Sequence, residues 1–196
     1  MADTIDFYFD FLSPFSYLAH QKIPRLAADY GRDLVYHPVD LDVLKLKGEN
    51  TGPSTRQMPL KYHYSGMDLQ RWAARYGVRI TRPKGHGPAR LNRGAFFAQD
   101  SGRIGDYVEA AWRRVWRDGG DMGDEGLIGD VAGELGWDVA AFLAFTESSE
   151  ADARLTDSTQ AAHQRGAFGV PTFMIGDDMW WGNDRLDFVE EFLAAD

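Results

Sequence analysis

Patterns typical of β-strands occur only near the two ends of this chain, and no other feature restricts its possible folds as much. Residues 4–11, TIDFYFDF, alternate polar with apolar side chains, as a half-buried strand does. The Ser13-Pro14 pair predicts a helix start, since Ser is a preferred N-cap and Pro is preferred at the first helical position. Helical spacing then continues to about residue 30. Residues 33–40 predict a second strand, and Pro38 favours a sheet edge. The chain therefore begins β-α-β.

From residue 45 to residue 164 the apolar spacing is helical, with the clearest amphipathic stretch ending at Gly77. Strand patterns return at residues 171–175 and 179–181, on either side of a short turn. Gly182-Asn183-Asp184 then predicts the cap of a last helix. The order is β-α-β, a helical block, and α-β-β-α.

This order is that of a thioredoxin-like fold, of the α/β class, with a large all-helical insertion. We therefore predict a discontinuous thioredoxin-like domain made of residues 1–44 and 165–196. Residues 45–164 are predicted to form a helical insertion domain that contributes the substrate pocket.

Composition excludes several classes of function. The 196 residues are 44% hydrophobic, which is enough for a sizeable core. The chain has no cysteine, which excludes disulfides, thiolate metal sites, iron–sulfur clusters and redox chemistry by the protein's own thiols. The five histidines are dispersed and show no zinc-motif spacing, so we predict no metal. Neither a signal peptide nor an apolar run long enough to span a bilayer is apparent, so we expect a soluble cytoplasmic protein with no membrane partner.

Charge is distributed unevenly along the chain. The net charge of −9 argues against general nucleic-acid binding. Residues 45–93 nevertheless hold eleven basic and two acidic residues, a local charge of +9, against −18 for the remainder. Such a segment could attract a small anion to a site, or it could simply consist of solvated helix faces.

The first candidate site is Ser13-Pro14-Phe15-Ser16, between the first strand and the first helix. Thioredoxin-like proteins place a Cys-x-x-Cys pair here, where helix amides stabilise a thiolate. Both cysteine positions are Ser in this chain, so oxidoreductase chemistry is excluded, but the Ser13 hydroxyl could hydrogen-bond the thiolate of a bound thiol. Alternatively, Ser13 is only an N-cap that bonds the amide of Ser16.

Two further motifs would lie at the same edge of the fold. In Gly169-Val170-Pro171-Thr172, a cis Pro171 would leave the Val170 backbone free to pair with an extended peptide. In Trp181-Gly182-Asn183-Asp184, helix amides could hold a carboxylate and Asp184 an ammonium, although Asn and Asp are also common caps. A thiol, a peptide backbone and a γ-glutamyl group together describe glutathione.

With these motifs in view, the chain resembles the 2-hydroxychromene-2-carboxylate isomerases, relatives of the kappa-class glutathione transferases in the DsbA-like thioredoxin superfamily. The most specific segments are DFYFDFLSPFSYLA (6–19), the Gly-Pro-Ser and MDLQRWAARYGV region (52–78), GAFGVPTF (166–173) and MWWGNDRLDFV (179–189). The resemblance implies a glutathione-dependent cytoplasmic enzyme of aromatic hydrocarbon catabolism, usually a homodimer, with a small anionic aromatic substrate.

The resemblance also implies roles for individual residues. Ser13 corresponds to the serine that activates the glutathione thiol. The implied glutathione contacts are Val170, Pro171, Trp181, Gly182, Asn183 and Asp184. The implied substrate contacts are Lys45, Thr55, Arg56 and His86. Thr55 stands where relatives have Asn and His86 where they have a phenol, which bears on the identity of the substrate. Lys45 and Arg56 would hold a substrate carboxylate and the negative charge that develops on its ketone.

Two other functions remain open on sequence grounds. A kappa-type transferase or peroxidase would consume glutathione, whereas an isomerase returns it. A non-catalytic thioredoxin-fold binding module would use Ser13 only as a cap and would show no glutathione-dependent activity.

Overall fold

The computed structural model of this chain describes residues 4–85 and 87–195. Within them four strands form one mixed sheet in the order β2-β1-β3-β4, where β1 is parallel to β2 and β3 is antiparallel to both β1 and β4. The strands are β1 (Thr4–Phe9), β2 (Asp33–Pro38), β3 (Thr172–Ile175) and β4 (Asp178–Trp181). The predicted strands and closing hairpin are confirmed, and Pro38 lies on an edge strand, but β1 and β2 each end two residues earlier than expected.

The described residues also form ten α-helices, seven of which lie between β2 and β3. A 3-10 turn covers Thr55–Gln57, a second covers Asn183–Arg185, and a π-helical segment at Arg113–Arg117 extends α6. The α-helices are α1 (Pro14–His20), α2 (Ile23–Asp29), α3 (Leu41–Lys47), α4 (Pro59–Tyr76), α5 (Ala89–Asp100), α6 (Ile104–Trp112), α7 (Glu125–Glu134), α8 (Val139–Thr146), α9 (Ser149–Gln164) and α10 (Leu186–Ala195).

Two predictions about the first helices need correction. The single helix expected from Ser13 to about residue 30 is two helices, because Pro24 lies in the first turn of α2 and cannot donate the backbone bond that would continue α1. Helix α3 was not predicted. It is capped by Asp40, whose carboxylate accepts the Val43 N–H, and it extends across the predicted domain boundary at residue 44.

The sheet is covered by helices on both faces. Strand β1 directs Ile5, Phe7 and Phe9 into the main core, where the Phe7 ring stacks on Phe173 of β3 and the fully buried Trp112 of α6 packs nearby. The opposite face forms a second core, lined by Tyr8, Val39, Leu41, Leu44, Ala162, Ala167, Val170 and Met174. Each large side chain buried here contributes about 1.5–3 kcal/mol, so both layers fix the sheet.

Strand directions bring four connections to the same end of the sheet. The carboxyl ends of β1 and β2 lie together because these strands are parallel. The amino end of β3 and the carboxyl end of β4 lie there too, since Tyr8 pairs with Thr172 and Thr172 pairs with Trp181. The turn after β1, the start of α3, the loop before β3 and the turn after β4 therefore meet at one edge.

Candidate functional site

Ser13 begins α1 at this edge. Its hydroxyl oxygen accepts the Ser16 N–H at 3.2 Å, and its own N–H donates to the Asp10 carbonyl at 2.9 Å. The residue is 5% exposed. The hydroxyl hydrogen of Ser13 finds no acceptor among the described residues, so Ser13 caps the helix and keeps one donor available.

Asp10, three residues before Ser13, is a buried carboxylate that the sequence analysis missed. Its two oxygens accept the N–H groups of Leu12 at 2.7 Å and Leu41 at 2.9 Å. Burial raises the pKa of Asp10 to about 6, although these hydrogen bonds and one from Asn92 act in the opposite direction. One carboxylate thus joins the Ser13 turn to the first residue of α3.

Side chains from the helical segment also hold this turn. Asn92 of α5 is 1% exposed, accepts the Phe11 N–H at 3.1 Å and donates to the Val39 carbonyl at 3.2 Å. The indole N–H of Trp116 donates to the Phe11 carbonyl at 2.8 Å. Because both backbone groups of Phe11 are bonded to buried side chains, the position of Ser13 depends on helices distant in sequence.

The loop before β3 has the predicted cis peptide bond between Val170 and Pro171. Val170 is 8% exposed, and its N–H and C=O make no hydrogen bond to any residue the structure describes. The Pro171 carbonyl accepts the Gly182 N–H at 2.9 Å, which joins this loop to the turn after β4. An exposed aromatic pair, Phe168 and Trp181, lies beside the loop with ring centroids 5.0 Å apart.

Glycines allow the elements around this pair to approach closely. A Cβ on Gly169 would lie 2.8 Å from the Trp181 indole nitrogen, and a Cβ on Gly48, just after α3, would lie 2.9 Å from the Phe168 Cβ. The C-terminal end of α3 therefore packs against Phe168, and Phe168 packs against Trp181. This exposed aromatic edge includes one predicted site residue, Trp181, and one that was missed, Phe168.

Gly182-Asn183-Asp184 forms the turn before α10. Gly182 has φ +111°, and a Cβ there would lie 2.4 Å from an Asp184 carboxylate oxygen, so only glycine fits below this carboxylate. Asp184 is half-exposed and pairs with Arg185 at 3.2 Å. The Asn183 side chain is buried, and its Nδ2 has no acceptor among the described residues. The backbone carbonyl of Asn183 accepts the Tyr76 hydroxyl at 3.4 Å.

The predicted substrate contacts are more dispersed. Lys45 lies one turn into α3, with its ammonium 3.9 Å from Asp42. Thr55 and Arg56 lie in the exposed 3-10 turn between α3 and α4. His86 lies outside the described residues.

Several arginines of the basic segment 45–93 are engaged in ion pairs within the protein. Arg75 pairs with Asp187 at 3.3 Å, Arg90 with Glu125 at 2.9 Å, and Arg93 with Asp152. These arginines attach α4 and α5 to acidic elements elsewhere in the fold. Only part of the +9 charge is therefore available to a ligand.

No helix within residues 4–85 and 87–195 has the length and apolar character needed to cross a membrane. Within the same ranges, no three His, Asp or Glu side chains group in a way that could hold a metal ion.

Comparison with known proteins identifies the family. A family model described as a DSBA-like thioredoxin domain matches residues 4–194. A 2-hydroxychromene-2-carboxylate isomerase of Pseudomonas putida is 44% identical over 190 residues, which cover 97% of this chain and 94% of the relative. The chain belongs to the 2-hydroxychromene-2-carboxylate isomerase family.

Structural comparison agrees with this assignment. A solved structure of a 2-hydroxychromene-2-carboxylate isomerase matches with a TM-score of 0.94 and 42% identity, covering 98% of this chain and 95% of that chain. Glutathione S-transferase kappa 2 of Caenorhabditis elegans is more distant, at 26% identity over 97% of this chain and 91% of that protein. The resemblance and the thioredoxin-like α/β fold with a helical insertion, both predicted from sequence, are confirmed.

Proposed function

We propose that this protein is a glutathione-dependent isomerase that interconverts 2-hydroxychromene-2-carboxylate, or a polycyclic analogue, and trans-o-hydroxybenzylidenepyruvate. The reaction is supported by 44% identity to an isomerase of that name over nearly the whole chain. The use of glutathione is supported by one structural observation above others. The N–H and C=O of Val170 pair with no described residue, and Val170 lies at the end of the sheet that also carries the Ser13 turn. A peptide lying extended along this loop would complete both bonds.

The residues at this edge fit glutathione in kind. Val170 and Pro171 would hold the cysteinyl backbone, and the free hydroxyl hydrogen of Ser13 would point a donor at the sulfur. The Gly182 turn would receive the γ-glutamyl group, with Asp184 opposite its ammonium and the buried Asn183 amide supporting the turn. Trp181 would cover the peptide from the side where it meets Phe168.

When bound, glutathione supplies the thiol that adds reversibly to the substrate's double bond, which becomes a single bond that can rotate before the thiol leaves. Ser13 favours the ionised thiol by donating a charge-assisted hydrogen bond. Lys45 and Arg56 would hold the substrate carboxylate and stabilise the charge on the ketone oxygen, and Thr55 and His86 would contact the rest of the substrate. We assign glutathione binding to residues 1–44 and 165–196, and the substrate pocket to residues 45–164.

A glutathione transferase or peroxidase of the kappa type is the second candidate, favoured by the 26% identity to the nematode transferase. The two activities differ in stoichiometry, because an isomerase returns each glutathione and a transferase or peroxidase consumes it. A non-catalytic binding module would show neither activity.

The test follows isomerisation of 2-hydroxychromene-2-carboxylate by absorbance, with and without glutathione, while free thiol is titrated. We expect turnover that requires glutathione and leaves its concentration unchanged. Loss of thiol in proportion to product would support the transferase, and a rate equal with and without glutathione would contradict the proposed cofactor.

We also propose a cytoplasmic homodimer that uses the outer face of α4. Leu60 is 89% and Tyr64 60% exposed, and their spacing places both on the same side of the helix. A reducing cytoplasm would supply the thiol form of glutathione. Light scattering of wild type and Leu60→Ser tests the dimer, and a monomeric wild type would contradict it.

A further inference from the structure

The strongest feature outside the glutathione edge is an open cavity between α4, along Pro59 to Gln70, and the loop at residues 78–85, with a volume of about 540 Å³. Its walls include apolar parts of Pro59, Tyr62 and Met67 and polar groups of His63, Gln70 and Arg82. This volume lies within the range of small-ligand sites, about 300–1,000 Å³, and the mixture of flat apolar walls with a few polar groups is typical of them.

Arg82 is the unusual group in this cavity. Its guanidinium lies over the Tyr62 ring, 4.1 Å from the centroid, and makes no ion pair or hydrogen bond with any residue that the structure describes. Stacking occupies a face of the guanidinium and leaves the N–H groups at its edge free to bind a carboxylate with two parallel hydrogen bonds. In a protein of net charge −9, an arginine fixed without a carboxylate partner is suited to an incoming anion.

The helix is shaped for this arginine. A Cβ on Gly66 would lie 2.8 Å from the Arg82 Nη2, so any larger residue would displace the guanidinium from its place. Gly66 lies inside an 18-residue helix, where glycine costs about 1 kcal/mol relative to alanine. The close approach of Arg82 explains the glycine at this position, where helix stability alone would favour alanine.

The loop that carries Arg82 is attached to the Ser13 turn. The Thr81 N–H donates to the Trp116 carbonyl at 2.6 Å, and the Trp116 indole N–H donates to the Phe11 carbonyl. The Tyr17 hydroxyl of α1 donates to the Arg79 carbonyl at 3.0 Å. The other end of the cavity begins at Pro59, directly after the turn that carries Arg56.

We propose that this cavity binds a planar aromatic carboxylate, with Arg82 holding the carboxylate and Tyr62 and Met67 lining the space for the ring. The assignment of this ligand as the substrate rests on the proposed isomerase function, whereas the binding itself does not. Arg82 is thus a specificity-determining residue in addition to Lys45 and Arg56.

The experiment measures binding of 2-naphthoate, an unreactive probe, by calorimetry without glutathione. Arg82→Lys keeps the charge but loses the planar fork, and we expect affinity to fall about tenfold. Gly66→Ala should also weaken binding several-fold while the melting temperature stays equal or rises, because alanine favours the helix. Lys84→Ala removes a neighbouring charge from the same loop but not from the cavity, and should bind like wild type.

Equal affinities of wild type, Arg82→Lys and Gly66→Ala would overturn the proposal, as would the absence of naphthoate binding to wild type. The isomerisation assay separates this result from the proposed function. Active wild type with an unchanged KM in Arg82→Lys would refute the role of Arg82 and leave the isomerase intact. Naphthoate binding that depends on Arg82, in a wild type without isomerase activity, would support the role of Arg82 and refute the proposed isomerase function.

Discussion

Replacing Asp10 with asparagine should change how the stability of this protein depends on pH. Asp10 is 1% exposed, and burial raises its pKa from 3.8 to about 6. The native state therefore keeps this proton to higher pH than the unfolded chain does, so the free energy of unfolding falls as pH rises between these two values. A pKa difference of this size corresponds to about 3 kcal/mol, which wild type loses almost completely by pH 7.5.

Asparagine is neutral at every pH and removes this dependence. Its single amide oxygen can accept from Leu12 or from Leu41 but not from both, so Asp10→Asn carries a constant cost of about 1–3 kcal/mol. Relative to wild type, the variant should gain about 2.5 kcal/mol between pH 4 and pH 7.5, mostly below pH 6. Nearby Asp40 adds to the rise in the Asp10 pKa, and no cation pairs with the Asp10 carboxylate among the described residues.

Urea denaturation followed by tryptophan fluorescence at several pH values measures this difference. The pH dependence of unfolding must be compared between wild type and Asp10→Asn, because other carboxylates oppose the effect of Asp10 in both proteins. Carboxylates whose pKa is lowered by arginine, lysine or histidine, such as Asp6 and Asp187, make stability rise with pH over an overlapping range. Asp138→Asn, at an exposed cap where asparagine serves equally, controls for the substitution. A wild-type-to-Asp10→Asn difference that stays constant with pH would refute the assignment of a buried, proton-binding carboxyl to Asp10.

Three further predictions concern the glutathione and substrate contacts. Ser13→Ala should slow isomerisation about tenfold or more, because it loses a charge-assisted hydrogen bond. The control Ser148→Ala removes the cap of α9 and should cost about 1 kcal/mol of stability while leaving turnover unchanged. Equal turnover in wild type and Ser13→Ala would restrict Ser13 to capping. Asp184→Asn should weaken glutathione binding in calorimetry with little change in the ligand-free Tm, and equal affinities would contradict the γ-glutamyl contact. Arg56→Lys should lower kcat/KM about ten- to a hundredfold at unchanged glutathione affinity, and parity in kcat/KM would exclude Arg56 from the chemistry.

The fold could be predicted from this sequence because its strongest patterns lie where topology is decided. Alternation at residues 4–11 and the closing hairpin identify the sheet, and the cap residue Ser13 marks the start of α1. The boundaries between neighbouring helices and strands inside the chain were harder to predict from the sequence. On sequence periodicity alone, Pro24 is compatible with either a continued or a restarted helix. Asp40 fits the end of the predicted second strand, whereas in the structure it caps α3.

The buried part of the site was not accessible from sequence for a related reason. Extending the first strand to residue 11 made Asp10 one more polar residue in an alternating pattern. The strand ends at Phe9, and the chain then turns Asp10 into the interior, where Leu41 and Asn92 reach it. Such a contact joins segments about 30 and 80 residues apart, which local periodicity does not report. Nor do the residues next to Asn92 in the sequence indicate a partner for its side chain.

These contacts explain why the helical segment and the thioredoxin-like unit act as one body around Ser13. A thioredoxin-like edge alone would leave the Phe11 backbone between two buried layers with both polar groups unpaired, at a cost of about 1–3 kcal/mol for each. Asn92 and Trp116, both from the helices between β2 and β3, remove that cost. Trp116 also holds the loop of Arg82 through the Thr81 N–H. The indole N–H and the backbone carbonyl of Trp116 therefore connect the turn proposed to bind the thiol with the loop proposed to bind the carboxylate. A change in the packing of the π-helical segment at Arg113–Arg117 should affect both sites together.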